Sequence, residues 1–253
     1  MSDFVQSLER GLTVIRAFDA ENPELTLSDV ARITGLTRAA ARRFLITLVE
    51  LGYMRTDGRL FALRPKVLEL GFSYLSSLGL PDVAGPHLEK LAAEVHESCS
   101  VSVLDGPDIV YVARVPTKRI MKVMIDIGTR FPAHAASMGR VMLAGQDEAW
   151  LDEYLRTTPL TALTDRTITD PATLKTELTW IREQGWALVD EELERGLRSV
   201  AAPIHNNKGK IIAAVNISTH VSRSLDSVET ELLPPLLATA AAIATDLKGT
   251  EYR

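Results

Sequence analysis

The chain has 253 residues and one cysteine, Cys99. A single cysteine excludes an internal disulfide and a thiolate metal cluster built by one chain. No stretch reaches the roughly 18 uninterrupted apolar residues of a membrane span. The opening MSDFVQSLERGL carries early charges of both signs and no apolar signal core, so a cytoplasmic protein with no membrane partner is the simple reading. Enzyme motifs are missing as well. There is no Gly-x-Ser-x-Gly, no phosphate loop and no His-Glu-x-x-His. The histidines, His87, His96, His134, His205 and His220, have no ligand spacing among themselves. Asp190, Glu191, Glu192 and Glu194 form an acidic knot that reads as a solvent loop rather than a metal site. Cys99 reads as a small core residue at a strand start, not a nucleophile. Neither catalysis, a metal nor a cofactor is expected.

What is present is ordinary globular composition, 46% hydrophobic and 24% charged, at a length that suits two domains. The net charge of −5 hides an asymmetry. Residues 1–66 carry ten basic and eight acidic side chains, a balance of +2, so the remainder sums to −7. Residues 32–66 alone hold Arg32, Arg38, Arg42, Arg43, Arg55, Arg59, Arg64 and Lys66 against Glu50 and Asp57, a balance of +6. A basic segment in an acidic protein fits nucleic-acid contact, or a plain solvated face.

The pattern of residues 1–64 separates these readings. Val5, Leu8, Leu12, Ile15 and Phe18 make the stripe of an amphipathic helix, which Asn22-Pro23 should end. Thr26 and Asp29 have the form of a capping box opening a short helix, Leu27 to about Ile33. Gly35 permits a turn, and Thr37 can cap a third helix to about Glu50. The apolar face of that helix is Ala41, Phe44 or Leu45, Leu48 and Leu51. Arg38, Arg42 and Thr47 lie away from it and Arg43 sits on its flank. Short helix, glycine turn and arginine-bearing helix form a helix-turn-helix unit. Asp57-Gly58, between Tyr53–Thr56 and Arg59–Leu63, is a hairpin signal, and that hairpin is a wing with Arg55 and Arg59 near its tip. The DNA-binding candidates are therefore Thr37, Arg38, Arg42, Arg43, Thr47, Arg55 and Arg59. Arginine suits the task because it donates two hydrogen bonds to guanine or bridges phosphates.

Residues 65–80 read as a linker helix whose apolar Leu68, Phe72 and Leu75 would be buried on a partner chain. Residues 81–253 read as an α+β domain. A helix is expected over 82–97. Strands are expected at Ser100–Leu104, Ile109–Val115, Ile120–Ile127, Trp186–Val189, Val200–Ile204 and Ile211–Ser218. Further helices are expected at His134–Ala144, 147–156, 170–184 and 226–247, the last interrupted by Pro234-Pro235.

The whole chain resembles transcriptional regulators of the IclR family. The matching strings are Val5-Gln6-Ser7-Leu8-Glu9-Arg10-Gly11-Leu12, Leu27-Ser28-Asp29-Val30-Ala31-Arg32 and Gly35-Leu36-Thr37-Arg38-Ala39-Ala40. In the second part they are Pro132-Ala133-His134-Ala135, Met138-Gly139-Arg140, Gly185-Trp186, Asp190-Glu191-Glu192 with Gly196, and Ala201-Ala202-Pro203-Ile204. The resemblance implies a winged helix-turn-helix joined by a linker helix to a GAF-like effector-binding domain. It also implies double-stranded operator DNA as a partner, a small organic-acid effector, and a homodimer, often paired into a tetramer. A narrower similarity, to the branch controlling aromatic-acid catabolism, is carried by Leu36–Leu45, Asp57–Phe61, Val110–Pro116 and Glu194–Ser199.

By the same resemblance, effector-binding positions fall on Ser137, Met138, Ser199, Asn216 and Ser218, with Val189 beside them. Val189, Ser199 and Asn216 stand where glyoxylate-responsive members carry an aspartate, a cysteine and a serine, and Met138 is bulkier than their small residue. A different ligand follows, with β-ketoadipate or a hydroxybenzoate leading. Arg198 and His134 could add charge there. The rival readings are a constitutive DNA-binding protein with an oligomerisation domain, and an unrecognised hydrolase.

Overall fold

A computed structural model describes residues 4–71, 79–117 and 125–249. The chain divides into two compact units, Met1–Ser76 and Ser77–Arg253.

The first unit opens with helix α1, Gln6–Arg16. It stops well before Asn22-Pro23 because the Asp19 carboxylate takes the backbone N–H groups of Glu21 and Asn22 and turns the chain. Its apolar stripe does not face the core as a whole. Val14 and Phe18 are buried, whereas Val5, Leu8 and Leu12 are exposed. A two-residue strand β1, Leu25–Thr26, leads into α2, Leu27–Thr34, through the expected capping box. Asp29 N–H donates to Thr26 Oγ1 (3.3 Å) and Thr26 N–H to Asp29 Oδ2 (3.2 Å). The Thr26 hydroxyl, which donates to Asp29 Oδ2 (2.6 Å), and then the Thr26 N–H hold the Asp29 carboxyl below its usual range. Gly35, at φ 68°, closes α2 in the left-handed region that glycine favours. Thr37 caps α3, Arg38–Glu50, by accepting from Ala40 N–H. Strands β2, Met54–Thr56, and β3, Leu60–Leu63, form the hairpin. β1 adds to β3 by pairing Leu25 with Phe61, giving sheet order β1-β3-β2. Val14, Val30, Ala41, Leu45, Leu48, Met54 and Phe61 make the core, while Leu51 lies outside it, exposed. A 3-10 turn, Pro65–Leu68, follows. Residues 72–78 of the expected linker helix, with Phe72 and Leu75, lie outside the described residues, and Leu68 and Leu70 are exposed.

The second unit begins with α4, Leu80–Val95. Strands β4, Ser98–Asp105, and β5, Asp108–Val115, form a hairpin. The expected strand Ile120–Ile127 falls largely outside the described residues. Its described part, 125–127, is not strand, and the strand lies later, at β6, Arg130–Pro132. A 3-10 turn, Ala133–Ala135, and helix α5, Ser137–Ala144, replace the single helix expected over His134–Ala144. Ala136 is extended between them, so α5 starts three residues late. Helices α6, Glu148–Thr157, and α7, Pro171–Gln184, precede strands β7, Ala187–Asp190, β8, Leu197–His205, and β9, Ile211–His220. The sheet is antiparallel throughout, in the order β6-β5-β4-β9-β8-β7. Pro234-Pro235 does not interrupt the last helix. A π segment, Val228–Leu232, widens the turn ahead of them, and both prolines sit in the first turn of α8, Leu233–Gly249, where a missing N–H costs little.

Side chains alternate across the strands, and α5 covers one face. Leu197, Ala201 and Ala214 share a core with α5, α6 and α7. Helix α5 is buried along its whole length, large side chains such as Met138 and Arg140 included, and Gly139 admits it against the turn before it. A Cβ on Gly139 would lie 2.1 Å from the Ala133 carbonyl oxygen. Gly139→Ala must therefore push the 3-10 turn away, at a cost of about 3 kcal/mol. Trp150, Trp180 and Trp186 all belong to the second unit, so tryptophan fluorescence in urea should report a lower midpoint for that unit. An unchanged midpoint would refute the close approach.

Candidate functional site

Two arrangements stand out, one in each unit. On α3, Arg38, Arg42, Arg43 and Thr47 are exposed while Ala41, Leu45 and Leu48 anchor the other side. Thr37 is exposed at the N-terminus of the helix, its oxygen occupied by the cap and its proton free to donate. The Thr47 hydroxyl donates to the Arg43 carbonyl (2.8 Å), which turns it along the helix rather than outward. In the hairpin, the Asp57 carboxylate accepts from Arg59 N–H (2.8 Å) and Leu60 N–H (2.7 Å), which lowers its pKa and rigidifies the tip. Arg59 is exposed beside it. Arg55 is paired with Glu24 (2.7 Å), so it must share that partner with any phosphate. The unit thus presents a cationic helix face and wing on a small packed core.

In the second unit, Ser137, Met138, Ser199, Asn216 and Ser218 line one cavity, together with Val189, Tyr111, Ala135, Ala136, Leu193 and Leu197. Strand register brings them together. Val189 pairs with Ser199, Ser199 with Ser218, and Ala201 with Asn216, all on the α5 face. A bulge between Val101 and Ser102 changes the phase of β5, so that Tyr111 rather than Val112 stands opposite Ser102. That shift turns Tyr111 to the cavity side, and the sequence pattern carries no sign of it. Hydrogen bonds tie the polar group together. Asn216 Nδ2 donates to Ser199 Oγ (2.9 Å) and Ser218 Oγ (3.1 Å), and Ser137 and Ser199 hydroxyls share a 2.7 Å bond. Asn216 Oδ1 is buried with no partner among the described residues. Ser102 Oγ donates to Met138 Sδ (3.2 Å). Burial pushes the Tyr111 phenol up to about 12, so it stays protonated. Among the described residues, no formally charged side chain lines the cavity, whose volume is about 10 Å³, room for one water.

The charges expected near it are engaged elsewhere. Arg198 lies on the opposite face of β8, with Asp190 (2.8 Å) and the Arg223 carbonyl as partners. His134 is fully buried, and its Nε2 meets the Thr161 carbonyl at 3.1 Å. The acidic knot is not a solvent loop. Glu192 is buried against Arg140, Glu191 Oε2 accepts from Gly196 N–H (2.9 Å), and Asp190 pairs with Arg198. Arg140, which buries Glu192, is distant in sequence, so the knot by itself has the pattern of a solvated loop. Among the described residues, no three His, Cys, Asp or Glu side chains are grouped to hold a metal. Cys99 is buried, which raises its thiol to about 12, and it belongs to the core as expected. No helix of the described residues is long and apolar enough to cross a membrane.

The IclR helix-turn-helix domain matches residues 7–58 and the bacterial transcriptional regulator IclR C-terminal domain matches residues 72–245. The chain belongs to the IclR family. It is 45% identical to the Pca regulon regulatory protein of Pseudomonas putida over 98% of this chain and 86% of that one. The solved structure of a Rhodococcus sp. RHA1 protein is 58% identical, with a TM-score of 0.88, over 98% of this chain and 100% of that one. An IclR homolog from Microbacterium hydrocarbonoxydans, solved in complex with 4-hydroxybenzoate, is 25% identical with a TM-score of 0.86, over 96% and 100%. This IclR chain is therefore a DNA-binding transcriptional regulator and not an enzyme, and the hydrolase reading falls.

Its buried His134 has a pH consequence. Burial lowers the imidazole pKa below its ordinary 6.5. The folded state then binds fewer protons than the unfolded one, so the contribution of this group is complete above about pH 6.5 and is lost as pH falls below it. His134→Gln keeps a donor for Thr161 without titrating. The stability advantage of wild type over this variant should shrink between about pH 7.5 and 5.5. A pH-independent difference would mean that His134 is not held neutral.

Proposed function

We propose that this chain is an effector-responsive regulator of aromatic-acid catabolism, acting in the cytoplasm. Its winged helix-turn-helix, residues 1–64, reads operator DNA. Its domain from 81 to 253 senses an organic acid, with β-ketoadipate or a hydroxybenzoate as the leading candidates, and residues 65–80 link them. The observation that carries this reading is the convergence of Ser137, Met138, Ser199, Asn216 and Ser218 on one buried cavity that, among the described residues, has an uncharged lining. The Pca regulon protein at 45% identity and the 4-hydroxybenzoate-bound homolog support the ligand class.

A cavity of about 10 Å³ cannot take such an acid as it stands, so binding must open it. Met138 is the wall suited to move, because its unbranched side chain is held at the sulfur by one weak hydrogen bond. Binding can bias the DNA-reading heads only by the difference in its affinity for their arrangements. Calorimetry with both acids on wild type and Asn216→Ala tests the site. Heat should appear with at least one acid and the variant should bind it about tenfold more weakly, the worth of one buried hydrogen bond. Silence from both acids removes the ligand class, and unchanged heat in the variant removes the cavity.

On the DNA side, Arg38, Arg42 and Arg43 contact the duplex from α3, with Thr37 and Thr47 assisting and Arg55 and Arg59 serving the wing. The reading includes a homodimer, often doubled to a tetramer, joined through α1 and the linker. Exposed Val5, Leu8 and Leu12 on and beside α1 support it, since such an exposed apolar row favours association. Losing one base-reading arginine should cost about 1–3 kcal/mol, and losing a phosphate contact should flatten the salt dependence. Sedimentation should give a dimer or larger at micromolar concentration for wild type and for the triple alanine variant of the three arginines, with only wild type co-sedimenting operator DNA. A monomer, or a triple variant that still binds, would overturn the assignment.

A further inference from the structure

The effector cavity has two chemically different ends. At one end is the start of α5. Ala135, Ala136, Ser137 and Met138 line the cavity there, all of them buried, and no side chain caps the helix. A buried, uncapped helix N-terminus offers backbone N–H donors and a positive dipole end. The hydrogen-bond chain adds to it. Ser199 Oγ already accepts from Asn216, so its proton can go to Ser137, which frees the Ser137 hydroxyl to donate onward. This end favours a carboxylate.

The other end is opposite in character. Both hydrogen bonds that Asn216 makes leave through Nδ2, and its Oδ1 is a buried acceptor with no partner among the described residues. Asn216 is 3% exposed, so that oxygen is shut off from bulk solvent. A second carboxylate placed there would meet an acceptor with an acceptor and remain a buried, unpaired charge. A hydroxyl would donate to it. Among the described residues, the cation that strand register puts on this face is Arg114, which donates to Ser100 Oγ (3.2 Å) and lies outside the cavity lining. One helix end and one flanking cation, among the described residues, match one negative charge. Ser137 and Asn216 are joined by two hydrogen bonds through Ser199, 2.7 and 2.9 Å long, so both polar groups belong to one chain along the cavity wall.

We propose that the effector is a monocarboxylate carrying a hydrogen-bond donor opposite its carboxyl group, a para-hydroxylated aromatic acid, and that Asn216 Oδ1 selects it against dicarboxylates. This rests on the reading of the cavity as the effector site and chooses between its two candidate acids. The test is calorimetry on the full chain with 4-hydroxybenzoate, 4-methoxybenzoate, adipate and β-ketoadipate. The methoxy compound keeps the carboxylate and ring but replaces the donor with an acceptor. The hydroxy acid should bind, the methoxy acid at least about tenfold more weakly, and the two dicarboxylates more weakly still, because a site built for a hydroxyl leaves its own polar group unpaired with the analogue. In Asn216→Leu the preference for hydroxy over methoxy should vanish. The wild-type series decides alone if that variant does not fold. Tight binding of either dicarboxylate, or equal binding of the hydroxy and methoxy acids, overturns the donor assignment while the sensing function stands. Absence of binding by all four removes the sensing reading itself.

Discussion

The effector domain is organised around one buried ion pair. Arg140, 1% exposed, points from α5 into the protein, where its guanidinium meets Glu192 and donates to the His134 carbonyl (2.8 Å). Glu192 also accepts from Ile168 N–H (2.9 Å). These bonds join the 3-10 turn, α5, the segment before α7 and the loop between β7 and β8. The same elements carry Ala135, Ala136, Ser137, Met138 and Leu193 to the cavity wall. Such a pair contributes little net stability, because desolvating two charges costs about as much as their attraction returns. Its role is positional. With either partner removed, the other is left charged and buried, so the loop and the helix hold one relative geometry.

That geometry lets the cavity be polar without being charged. The ionic groups nearby are neutralised within the scaffold, Glu192 by Arg140 and Asp190 by Arg198. Among the described residues, what faces the cavity is hydroxyls, an amide, a phenol and apolar walls. A neutral set of donors can lie against itself, as Ser137, Ser199, Asn216 and Ser218 do, and can be redirected to a ligand without exposing a bare charge in either state. Close packing supports this on the other side, where Gly139 lets α5 touch the turn before it.

The DNA-binding unit follows a different logic. Its core is small, and local devices do much of the work: the Thr26–Asp29 capping box, the Thr37 cap, the left-handed Gly35 and the Asp57 turn. Each is a contact between residues at most a few positions apart. For that reason the residue pattern by itself places the arginines of α3 on an exposed face. α1 is the exception. Its periodicity is plain, but Val5, Leu8 and Leu12 do not meet their own core. Periodicity says that one helix side is apolar and leaves open what covers it.

Residue pattern alone determined the helix-turn-helix, its caps and wing, the α+β character of the second domain and most element boundaries within a few positions, because these depend on local backbone preference and side-chain period. Resemblance of short strings determined the five cavity residues. Tertiary structure decided the rest. The bulge that turns Tyr111 inward exists only in the pairing of β4 with β5. The burial of Glu192 depends on Arg140, 52 positions away. The helix expected from His134 is split at the extended Ala136 into a turn and α5, and the two pack together where Gly139 meets Ala133. Strand register and long-range charge pairing are properties of partners distant in the chain, and a linear pattern names such partners only after the fold has chosen them.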